Sequence, residues 1–110
     1  MRRLLATLLF LGACAEAIPE KVVLKPEAEA VQVVTDRPNA DQYVALGEVT
    51  GTAQGADKEA VTTQAKNELR NQTAQRGGTV VSVDSVDPRH EWQGRRVVVK
   101  VTGTAYKPKD

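Results

Sequence analysis

The chain has 110 residues, with 15 Lys and Arg against 14 Asp and Glu and a formal charge of +1. That balance excludes a nucleic-acid-binding reading, which needs a cationic excess. A single Cys excludes an intramolecular disulfide, and the length fits one small domain with a modest Val/Ala core.

The first 13 residues read as a secretion signal. Met1-Arg2-Arg3 is a short cationic start, and residues 4–11 (LLATLLFL) form an apolar run. That run is far shorter than the roughly 20 residues a transmembrane helix takes, and it fits the core of a signal. Leu11-Gly12-Ala13-Cys14 follows, with small residues directly ahead of the only Cys. This stretch resembles the lipobox of bacterial lipoproteins. The resemblance implies cleavage between Ala13 and Cys14, a diacylglycerol thioether on Cys14, and acylation of the new amine. Each buried CH₂ contributes about 0.8 kcal/mol, so several acyl chains hold stably where one holds marginally. Ala15, not Asp, follows the Cys; by similarity to enterobacterial sorting this implies the outer membrane. Cleavage discards Arg2 and Arg3, so the +1 charge becomes −1 over the remaining 97 residues.

Residues 14–30 read as the lipidated Cys and a flexible tether, because Pro19, Pro26 and scattered charges oppose a packed element. Lys21-Val22-Val23-Leu24 is at most a short strand limited by Pro26. The periplasmic domain is expected over 31–106, with 107–110 as a tail. Residues 31–35 (VQVVT) predict a first strand, closed by the turn cluster Asp36-Arg37-Pro38-Asn39. Residues 43–53 predict a second. Val44 and Leu46 alternate there, and Gly47 shifts the phase to Val49, which predicts a bulge at Gly47.

Residues 57–76 predict the one helix. Asp57 can cap it, Glu59 suits its first turn, and Gly77-Gly78 gives the stop. Val61, Ala65, Leu69 and Thr73 form a narrow stripe suited to a sheet. Lys58, Lys66, Asn67, Glu68, Arg70 and Asn71 are expected to face water. Residues 79–86 predict a third strand, 87–94 (DPRHEWQG) a loop, and 95–106 a fourth strand with Val97, Val99 and Val101 on one face.

The order β-β-α-β-β predicts an α+β two-layer sandwich. A right-handed crossover makes strands two and three parallel. Placing strand four between them gives a four-stranded, mostly antiparallel sheet of order 1-2-4-3 with the helix on one face. Val49-Thr50-Gly51-Thr52-Ala53 recurs as Val101-Thr102-Gly103-Thr104-Ala105. Antiparallel pairing of the two copies explains the repeat, as does coincidence among Val/Thr/Gly-rich strands, and a binding motif is the third reading.

Little in the chain points to catalysis or metal. His90 is the only His, beside Glu91 and near Asp87, whereas a metal site takes three or four ligands in defined geometry. Ser82 and Ser85 lie in an alternating strand without a nucleophile elbow. Asp84 and Asp87 fall on opposite faces of an extended segment. The expectation is therefore no enzyme, no metal and no cofactor beyond the lipid on Cys14. Trp92, flanked by Arg89, Arg95 and Arg96, either packs over the sheet or serves as a recognition anchor. Arg95 and Arg96 are either solvated or touch lipid headgroups or peptidoglycan carboxylates. Trp92, Arg95 and Arg96 are thus the candidate partner contacts.

A wider resemblance rests on Val33-Val34-Thr35-Asp36 before Pro38, Leu46-Gly47-Glu48-Val49-Thr50-Gly51, and Glu68-Leu69-Arg70-Asn71. It continues through Gly77-Gly78, Val80-Val81 and Gly103-Thr104-Ala105-Tyr106. Over these residues the chain is similar to a family of short bacterial lipoproteins described as a domain of unknown function. That family resembles in architecture the envelope-stress lipoproteins of RcsF type. Such proteins often carry a cysteine near the start of the second strand; Gln42-Tyr43 stands there instead, which argues against a redox-sensing role. The resulting expectation is a lipid-anchored outer-membrane lipoprotein presenting a non-enzymatic domain to a periplasmic or outer-membrane protein or to peptidoglycan. The alternative is envelope-stress signalling; a metal-binding or hydrolytic protein comes last.

Overall fold

The computed structural model describes Ile18, residues 21–90 and residues 96–110. A 3-10 turn (Pro26–Ala28) leads into β1 (Gln32–Val34), β2 (Tyr43–Gly55), α1 (Lys58–Gln75), β3 (Val80–His90) and β4 (Val97–Pro108). The architecture is the expected α+β one, with the helix packed against a four-stranded sheet. The sheet order is β1-β3-β4-β2 rather than 1-2-4-3, and the sheet is mixed. β4 does lie between β2 and β3, antiparallel to both. The correction concerns β1, which pairs in parallel with β3 through Gln32↔Val80, Val33↔Val81 and Val34↔Ser82.

The physical reason is the direction of the chain. β1 and β2 both run antiparallel to β4, so no hairpin turn can join them, and residues 35–42 cross the sheet instead. This crossover and the one through α1 step across the sheet in opposite directions. Two such connections share one hand only when they lie on opposite faces. Residues 35–42 do lie opposite α1. Arg37 Nη2 comes within 3.9 Å of Asp84 Oδ1, and Asp84 accepts a 2.9 Å bond from Thr104, a residue of the face away from the helix. Beneath this end of the crossover, Val80, Ser82 and Tyr106 are buried although they point away from α1.

The helix face holds the core. Val61, Ala65 and Leu69 of α1 pack with Val49, Ala53, Val81, Val97, Val99, Val101 and Ala105. Thr73, the last residue of the expected stripe, is also fully buried and bonds the Leu69 carbonyl at 2.9 Å. Both helix ends close as anticipated. The Asp57 carboxylate accepts from Ala60 N–H at 3.3 Å. At the other end Gly78 N–H reaches Thr73 O and Gly77 N–H reaches Ala74 O, both at 2.9 Å. Gly77 has φ +80°, the left-handed residue on which this paired closure depends.

The repeat is a structural pairing. Val49 faces Gly103, Thr50 faces Thr102, and Gly51 faces Val101. A Cβ on Gly51 would overlap the Ala65 carbonyl oxygen and lie 2.6 Å from Leu69 N. The bare backbone there lets the helix settle on the sheet. The register shift between Ala45 and Gly47 is the anticipated bulge, and a second, unanticipated one falls between Val83 and Ser85. Residues 87–90, expected in a loop, instead continue β3 to His90, opposite Val97. β4 likewise runs past 106 to Pro108.

Candidate interaction surface

The N-terminal segment is seated on the helix by Gln64 and by Arg70 and Asn71, the last two expected to face water. Gln64 and Asn71 are seven residues apart, so they line up on one flank of α1. Gln64 Oε1 accepts from Val22 N–H at 2.7 Å. Asn71 accepts from Lys25 N–H at 2.9 Å and donates to Val23 O at 2.9 Å. Arg70 donates to Glu29 O at 2.7 Å and Val31 O at 3.1 Å. Ala28 is completely buried, and Asn71 is only 4% exposed. Residues 22–31 are therefore a strap along the helix, and the expectation that Arg70 and Asn71 face solvent is corrected. The usable signal was Asn71 itself, since a primary amide satisfies a backbone donor and a backbone acceptor together.

On the opposite face of the sheet the crossover covers one end and leaves the other open. Its polar rows follow from register: Thr50, Thr102 and Ser85; then Thr52, Lys100 and Asp87; then Gln54, Val98 and Arg89. The β3 bulge matters here. It brings Asp84 onto the same face as Asp87, correcting the expectation of opposite faces. A shallow depression of about 280 Å³ lies among Ile18, Thr52, Asp87, Arg89, Val98 and Lys100. A second hollow, about 350 Å³, sits under the crossover between Val34, Pro38, Tyr43 and Val80.

β1 covers only the first three residues of β3, so the rest of β3 forms an open edge among the described residues. The bulge, Asp87, Pro88 and Arg89 on that edge each oppose pairing by a further strand. This stretch is built against edge-to-edge association.

Ala13, Cys14, Trp92 and Arg95 lie outside the described residues. Arg96 is described: it is half-buried and its Nε lies 3.4 Å from Gln54 Oε1. His90 is exposed on β3, in a strand rather than a loop. Ser82 is buried with its hydroxyl unpaired among the described residues. Asp87 is engaged by Arg89 at 3.2 Å. Among the described residues no three His, Cys, Asp or Glu side chains gather as metal ligands do. No described helix is long and apolar enough to cross a membrane. What the face away from the helix offers is hydroxyls, amides, cations and the Asp84 and Asp87 carboxylates.

Over residues 22–107 the chain matches the family described as a domain of unknown function, DUF4156. No curated protein matches it. The matched span begins where the strap meets the helix and ends one residue before β4 does.

Proposed function

The chain belongs to the DUF4156 family, and from that premise we propose that it is a lipid-anchored outer-membrane lipoprotein. Its small α+β domain acts in the periplasm as a non-enzymatic interaction module for a protein or for peptidoglycan. One observation carries the reading: a short cationic start and an apolar run lead to Leu11-Gly12-Ala13-Cys14, which holds the only Cys. The open polar face, with Thr50, Thr52, Lys100 and Thr102, supports the interaction role. Cys14→Ala tests the reading. The variant leaves the membrane fraction and takes up no lipid label; a variant that stays with the membrane refutes the anchor.

A second reading, envelope-stress signalling of RcsF type, draws on the resemblance across Val33–Asp36 and Leu46–Gly51. Deletion and overexpression would then each shift an envelope-stress reporter, and a flat response to both rules it out.

A further inference from the structure

The place of Ile18 in the fold fixes an orientation. Gln54, next to the last residue of β2, donates from Nε2 to the Ile18 carbonyl at 2.6 Å. The same amide lies 3.4 Å from Arg96 Nε through its oxygen. Ile18 also borders the depression formed with Arg89 and Lys100. β2 ends, β3 ends and β4 begins at this level, where Gly55 and His90 both face Val97. Ile18 is thus held at one end of the sheet. Cys14 lies four residues earlier, and four fully extended residues span at most about 14 Å.

We infer that this end of the sheet, through Arg89 and Lys100, docks on the phospholipid headgroups of the membrane that holds the anchor. The inference rests on lipidation of Cys14, as proposed above. Chain length selects the occupant, because a lipid on Cys14 brings headgroups to this end before any other part of the domain. Charge agrees with that selection. The Arg89 side chain is 77% exposed although it pairs with Asp87 at 3.2 Å, Lys100 is exposed on the same open face, and the net positive charge that these groups leave is attracted to an anionic lipid surface. The other end of the sheet, with Asp41 beside the Tyr43↔Pro108 pair, lies about 37 Å away at ~3.4 Å per residue along β4. It faces the periplasm.

The test uses the full chain, purified from membranes and reconstituted in vesicles of phosphatidylethanolamine and phosphatidylglycerol with a headgroup quencher. With Cys14 occupied by lipid, a thiol introduced by His90→Cys or Asp41→Cys takes the fluorophore. Quenching at position 90 is expected to exceed that at 41 several-fold. It is expected to fall when Arg89→Gln and Lys100→Gln are combined, or when phosphatidylglycerol is left out. Equal quenching at both positions, or stronger quenching at 41, overturns the orientation. Quenching at 90 that ignores both changes overturns headgroup recognition. Flotation separates these results from loss of the anchor: protein that fails to float with the vesicles refutes lipidation, and the docking with it.

Discussion

Asn71 sits on the helix surface by sequence pattern and is buried in the fold because the strap runs over it. Its amide serves two backbone groups of the strap and also donates to Glu68 Oε1 at 3.1 Å. Asn71→Ala removes all three bonds and leaves the strap's groups to find water. A cost of about 1–2 kcal/mol follows, read as a lower urea midpoint with faster proteolysis near residues 22–25. Ser82 argues the other way. Its hydroxyl is buried and unpaired among the described residues, a state that costs roughly 1–3 kcal/mol. Ser82→Ala removes the hydroxyl and little volume, so the urea midpoint is expected to rise, by about 1 kcal/mol in stability.

Among the elements, α1 was the most legible, and for a local reason. Asp57, the Val61-Ala65-Leu69-Thr73 stripe and Gly77-Gly78 all lie within one stretch of chain, and each acts on that stretch. Gly77→Ala tests the closure cleanly, because a Cβ there meets nothing within 4 Å. Its cost, about 1 kcal/mol, belongs to backbone strain at positive φ alone, and thermal unfolding measures it. The Gly47 bulge was legible because glycine interrupts the alternation. The bulge at Val83/Ser85 was not: Val83-Asp84-Ser85 reads as an unbroken strand, and nothing local marks the extra residue. β1 was legible as a strand but not as a neighbour of β3. Its position depends on residues 35–42 passing over the far face, which involves Asp84 and Tyr106, distant in sequence. The candidate contacts divided likewise, with Arg96 described beside Gln54, while Trp92, Arg95 and Cys14 lie outside the described residues.

At the scale of the molecule, the two ends of the sheet set how the domain meets load. Ile18 sits beside Gln54 at one end, and β4 finishes at Pro108 at the other. A pull on the C-terminal tail directed along the sheet loads β4. That strand is hydrogen-bonded on both sides, to β2 and to β3. Tension directed this way strains the two ladders in shear, many bonds at once, rather than peeling them open one after another. The strand order that places β4 in the middle thus gives the sheet its greatest mechanical resistance along the direction of that strand.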